Sequence, residues 1–193
     1  MEVIEMQHRR FKLNDEAFFQ FCQDNTNLRF ERDIKGTIFI MPNTGGKTGE
    51  INSLINYFFV GWNLNQRSGR IFDSSTAFRL PSTAVRSPNL AWISNEQWAQ
   101  LTETEQAQFP PLCPDFVLEL VAATDDIKQT KQKIQQEWIE NSCRLAWLID
   151  PKGQTAHIYR ANGEIQIVPN FDQTLSGEDV LVGFKLDLKT LKG

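Results

Sequence analysis

The sequence predicts one α/β (α+β) domain, a central mixed β-sheet flanked by α-helices. Three observations carry this. The apolar run Phe116–Val121 is followed by a helical stretch and a second apolar run, Leu145–Ile149. That is the pattern of a strand–helix–strand crossover between parallel neighbours. A long helix with a single apolar stripe stands among short strands. Finally, 193 residues with 40% hydrophobic and 23% charged side chains is an ordinary globular composition, enough to bury a core. One domain is expected over 1–193, with a helix and strands over 1–45, the main core over 46–170 and a tail over 171–193.

The elements follow in order. Asn14 caps a helix running to Asp24, with Phe18, Phe21 and Cys22 at helical spacing. Leu28–Glu31 and Thr37–Ile40 read as strands joined by Asp33-Ile34-Lys35-Gly36. Met41–Gly49 is rich in Pro, Asn, Thr and Gly and reads as a loop. Ile51, Leu54, Ile55, Phe58, Phe59 and Trp62 then mark a long helix that Ser68-Gly69 ends. Arg70–Asp73 and Ala77–Leu80 are expected strands, Pro81–Pro88 a loop and Leu90–Ile93 a further strand. Asn95–Ala107 is expected to form one or two short helices, stopped by Phe109-Pro110-Pro111. After the crossover, whose helix is Asp125–Asn141, Ala156–Tyr159 and Glu164–Val168 form a hairpin around Ala161-Asn162-Gly163. Gly177–Leu191 has short alternating pieces and a closing strand.

Several classes are excluded. No apolar run is long enough to cross a bilayer, and the charged start MEVIEMQHRRFKL is not a secretory signal, so a cytoplasmic location is expected. Cys22, Cys113 and Cys143 lack CxxC spacing and read as three buried, reduced thiols. His8 and His157 alone give no basis for a histidine metal site or a serine–histidine triad. The net charge of −4 argues against a generic nucleic-acid coat but leaves room for a local basic groove. Asn43–Gly49 lacks GxxxxGK[ST] spacing, so it reads as a loop rather than a phosphate cradle.

Glu119 lies inside an apolar strand. It is either buried, and then paired, protonated or metal-bound, or it faces water at a strand end. Asn89 opens the Leu90 strand; an acid there would pair with Glu119 around a hard cation, whereas an asparagine alone is a turn residue. Lys131 shares a helical stripe with Ile127, Ile134 and Trp138 and should approach the sheet. Lys133 projects about 200° away in an ideal helix. Asp115 reads as a cap at the start of the Phe116 strand.

Six blocks occur in order: Met41-Pro42-Asn43-Thr44-Gly45-Gly46, Phe72-Asp73-Ser74-Ser75-Thr76, Arg86-Ser87-Pro88-Asn89, Cys113 through Leu120, Arg144 through Pro151, and Gly177-Glu178-Asp179-Val180-Leu181. Together they resemble the Uma family of putative restriction endonucleases, within the PD-(D/E)XK nuclease superfamily. The resemblance covers nearly the whole chain. It implies a restriction-endonuclease-like fold and hydrolysis of DNA phosphodiester bonds with Mg²⁺ or Mn²⁺, Glu119 being the chief metal ligand and a helix lysine orienting the water. The family has aspartate where this chain has Asn89, which keeps one ligand oxygen and loses the charge. Asp73, Asp115 or Glu50 are candidates to compensate. The usual lysine position after the glutamate is Val121. Lys133 fits by distance from Glu119 and Lys131 by helical face, and the stretch from Lys133 to Trp138 is one residue longer than the family pattern. Ala122-Ala123-Thr124 replaces the family's Ser-Pro-Ser. The alternative is an inactive relative serving as a DNA-binding or protein-interaction module. Arg67, Arg70, Arg86, Lys128 and Lys131 are candidates to line a DNA cleft, and a homodimer would supply two sites for a duplex.

Overall fold

A computed structural model describes residues 4–6, 13–122 and 125–192. His8, Ala123 and Thr124 therefore lie outside the described residues.

The crossover forms the centre of the molecule. Strand β8 (Phe116–Leu120) pairs in parallel with β9 (Leu145–Asp150), Glu119 opposite Leu148. All other pairs of this sheet are antiparallel. β7 (Leu90–Ser94) joins β8, β4 (Gly69–Asp73) joins β7, and β10 (Thr155–Arg160) and β11 (Ile165–Val168) form the expected hairpin beyond β9. The order is β11-β10-β9-β8-β7-β4, so the sheet is mixed. β8 is buried throughout and β9 up to Ile149, as central strands covered on both faces must be.

Helix α2 (Gly46–Gln66) covers one face, with α1 (Asp15–Asp24) elsewhere on the smaller sheet. The apolar stripe read from the sequence meets that face: Ile55 and Phe59 are fully buried, with Phe59 stacked on Phe116 and against Phe184. The tail seals the same core through Phe171, Leu181 and Phe184. Helix α2 starts at Gly46, so Gly46–Gly49 belong to its first turn and not to a loop.

A second, five-stranded sheet was not foreseen as a separate layer. It runs β1 (Ile4–Met6), β3 (Ile38–Met41), β2 (Arg29–Arg32), β6 (Val85–Arg86) and β5 (Phe78–Arg79). β6 lies inside the stretch expected to be a loop, and β5 is only the centre of the strand expected over Ala77–Leu80. The expected closing strand pairs only locally: β12 (Thr174–Ser176) and β13 (Lys185–Asp187) make a two-stranded sheet, followed by a 3₁₀ turn. Helices α3 (Asn95–Trp98) and α4 (Glu103–Ala107) fill the expected short helical region, α4 opened by a Thr102/Glu105 capping box. All three cysteines are free, although Cys22 is half-buried rather than buried. Among the described residues no helix is long and apolar enough to cross a membrane.

The crossover helix is not continuous. Helix α5 (Ile127–Lys133) passes into a π-helical turn, Ile134–Trp138, and then a 3₁₀ turn, Ile139–Asn141. A π turn takes in one residue more than an α turn, and such turns gather at functional sites. It lies in the Lys133–Trp138 stretch, which the family resemblance implies to be one residue longer than usual.

Candidate active site

The site lies where the chain leaves the small sheet for the large one. β6 ends at Arg86, and Ser87-Pro88-Asn89 lead directly into β7. β7 and β8 are in register with Leu90 opposite Leu118, so one step further sets Asn89 beside Glu119. The Asn89 side chain takes over where the ladder ends: its Oδ1 accepts the Leu120 N–H at 2.8 Å. Asn89 is thus more than a turn residue.

Glu119 is 5% exposed, so it is the buried kind of carboxylate and not a water-facing strand end. It points to the face of Val117 and Val121, which the broken helix covers. Trp138, at the end of the π turn, donates its Nε1–H to Glu119 Oε1 at 2.9 Å. Lys133 Nζ lies 3.1 Å from the same oxygen. Among the described residues Lys131 makes no ion pair with Glu119, which Lys133 holds instead. The π turn shifts the helical register between Lys133 and Trp138, so the stripe that would join Lys131 to Trp138 in an ideal α-helix is interrupted.

A second carboxylate completes the group. Glu31 of β2 is 3% exposed, and its Oε1 lies 3.2 Å from Lys133 Nζ and accepts the Ser87 N–H at 3.1 Å. Arg86 donates from Nη1 to Glu31 Oε2 at 3.1 Å and from Nη2 to Glu137 Oε1 at 2.6 Å. The chain Glu119–Lys133–Glu31–Arg86–Glu137 therefore ties both sheets and the π turn together. Sequence reasoning missed Glu31 and Glu137. Glu31 sits in a strand whose Phe30, Glu31 and Arg32 are all buried, so alternation carried no signal of which face mattered.

The compensating acids named from the sequence are elsewhere. Asp115 does cap locally, accepting the Ser94 N–H at 2.9 Å, but at the opposite end of β8. Asp73 accepts from Ser75 in its own turn, and Glu50 is exposed on α2. None of the three lines the cleft at Glu119.

That cleft has a volume of about 640 Å³ and is lined by Glu31, Arg86, Asn89, Glu119, Lys133 and Glu137, with the start of α2 at Thr48. Of the five basic candidates, only Arg86 lines it. Arg70 instead lies over the Trp98 ring, and Arg67 ends α2 in a left-handed conformation. Arg29 is the exposed cation of the rim, donating to the Pro42 and Ser74 carbonyls. The lining carries five carboxylates against three cations. Among the described residues no three His, Cys, Asp or Glu side chains gather to hold a metal ion.

The two carboxylates titrate in opposite directions. Burial pushes Glu31 up, but Lys133, Arg86 and the Ser87 N–H outweigh it and hold its carboxyl below the ordinary value of 4.5. Burial dominates at Glu119, and with repulsion from Glu31 it lifts that carboxyl above 4.5 despite Lys133. Burial pulls Lys133 down, but Glu119 and Glu31 more than reverse this, so it stays charged. Glu31 thus contributes stability that is present above its unfolded value and lost as pH falls through its lowered one. Glu119 binds its proton more tightly when folded, so its contribution falls as pH rises from 4.5 through its raised value. Carboxyl-carbon NMR titration should show Glu31 below and Glu119 above 4.5. The reverse order would contradict this electrostatic picture.

The fold is that of a nuclease-like protein. The chain is similar to the crystal structure of a putative nuclease belonging to DUF820 from Anabaena variabilis ATCC 29413, with TM-score 0.70 and 20% identity over 84% of this chain and 88% of that one. The Uma2 family, described as putative restriction endonuclease, matches residues 15–189, and the chain belongs to that family. No curated protein matches it.

Proposed function

We propose that the cleft hydrolyses DNA phosphodiester bonds as a metal-dependent endonuclease, with Glu119 and Glu31 as its acid pair and Lys133 between them. The single observation that carries this is the Lys133 ammonium, 3.1 Å from Glu119 and 3.2 Å from Glu31, in a cleft that opens to solvent. Glu31 supplies the second negative charge that Asn89 lacks.

The donors suit a hard cation such as Mg²⁺ or Mn²⁺, being two carboxylates and an amide oxygen. Glu119 Oε1 takes both Trp138 and Lys133, which leaves Oε2 for a ligand role. Glu119, Asn89 and Glu31 would hold the ion, which when bound would act as a Lewis acid toward a phosphate oxygen. In hydrolysis a water oxygen bonds to phosphorus, one P–O bond breaks, and the water's proton ends on the departing oxygen. Lys133 can donate a hydrogen bond to that water or to the charge growing on phosphate. Arg86 fixes Glu31 from behind, and Arg29 at the rim suits a neighbouring phosphate. Calorimetric titration with Mn²⁺ tests the reading. Saturable binding is expected in the native protein and none in Glu119→Ala; equal binding by both would overturn it.

A second reading is favoured by the scatter of basic residues. A lining with more carboxylates than cations repels a polyanion unless a metal ion offsets it. Without such an ion, the same buried charge network fits an inactive relative that serves as an interaction module. Absence of Mn²⁺ binding in the native protein would select this second reading.

A further inference from the structure

Beside the acid pair the cleft has an apolar wall that the hydrolysis does not use. β2 and β3 pair with Glu31 opposite Phe39 and Arg29 opposite Met41. Side chains alternate along a strand, so these four share one face of the small sheet, and all four line the cleft. Ile38 and Ile40 of β3 turn the other way, toward the core that Phe18 of α1 closes. Phe39 and Met41 are half-buried, so each keeps an open part. The Arg86 guanidinium lies 5.3 Å from the centre of the Phe39 ring, which ties this ring to the arginine that holds Glu31.

Charge says what lies on this wall. Of the cations lining the cleft, Arg86 and Lys133 are both paired with carboxylates. Arg29 makes no ion pair among the described residues; the Pro42 and Ser74 carbonyls hold its guanidinium and leave its charge uncompensated. An exposed arginine fixed in this way suits a phosphate. It stands two residues along β2 from Glu31, roughly 7 Å in an extended strand. That is about one nucleotide step of an extended sugar–phosphate backbone. A phosphate at Glu31 and the next at Arg29 therefore set the base between them beside Phe39 and Met41. A base can lie on a protein ring once it has left the stack of a duplex. Grip on a duplex takes several cations along its backbones, and this lining has a single one without a carboxylate partner among the described residues.

We propose that the cleft takes an unpaired stretch of DNA, with Arg29 on one phosphate and the Phe39–Met41 wall under the adjoining base. The substrate is then single-stranded or locally opened DNA, an inference that rests on the nuclease reading for the phosphate at Glu31. The test is fluorescence anisotropy of the native chain with labelled oligothymidylate and with a labelled hairpin duplex of equal length. Ca²⁺ is present as a hard cation for the same oxygen donors. The single strand should bind about tenfold more tightly than the duplex. Phe39→Leu keeps the apolar bulk and loses the ring, so it should weaken single-strand binding by roughly tenfold, and Phe39→Trp should bind as the native chain does. Arg29→Gln should reduce the slope of log affinity against log salt by about 0.7, the value for one phosphate contact on a single strand. Equal or tighter binding of the duplex would overturn the proposal, as would native affinity in Phe39→Leu or an unchanged salt slope in Arg29→Gln. Binding is read apart from cleavage. A chain that cuts duplex DNA and binds the single strand no better keeps the nuclease reading and loses this one; a chain that prefers the single strand but cuts nothing keeps the binding wall and loses the chemistry.

Discussion

Lys133→Met is expected to lower DNA cleavage by about 10²–10³-fold and to destabilise the fold by about 3 kcal/mol. The ammonium is shared by two nearly buried carboxylates, so its loss strips a partner from each. Glu31 keeps Arg86 and the Ser87 N–H and stays ionised. Glu119 keeps only the Trp138 indole among its polar partners in the described residues, and it relieves its burial by taking up a proton. The stability cost should therefore grow as pH rises, because holding that proton becomes harder. Urea unfolding at pH 5 and pH 8 measures this, and a pH-independent cost would show that Lys133 does not neutralise Glu119.

Asn89→Asp is expected to raise Mn²⁺ affinity about tenfold or more, a gain of roughly 1.4 kcal/mol. Aspartate can still accept the Leu120 N–H through one oxygen and present the other, now charged, to the cleft. The same charge lies beside Glu119, so without metal it should push the Glu119 carboxyl further up and cost about 1 kcal/mol of stability. Calorimetry and metal-free unfolding separate the two effects. Unchanged affinity would mean that position 89 points its ligand atom only at the backbone.

Much of the fold was legible because its signals are local. The two parallel strands of the Phe116–Ile149 crossover and the α2 stripe are written in hydrophobic period, and both stand in the structure as read, whereas the helix between the strands is broken. The small sheet was not legible as a layer: β6 is two residues long and pairs with β2 through Arg32 and Val85, far apart in sequence. The lysine register was hidden for a different reason. Periodicity assumes 3.6 residues per turn, and the π turn at Ile134–Trp138 breaks that assumption just where Lys133 and Lys131 had to be told apart. Glu119 could be singled out because a carboxylate in an apolar strand is costly. Glu31 could not, since only tertiary contact with Lys133 and Arg86 reveals its burial.

The most direct test of the central claim is nicking of supercoiled plasmid by the purified native chain in Mg²⁺ or Mn²⁺, beside Glu119→Ala and with chelator added. Nicking that needs the metal ion and vanishes in Glu119→Ala is the predicted result. An intact plasmid with the native chain, or equal nicking by Glu119→Ala, would contradict an active site built on Glu119, Glu31 and Lys133.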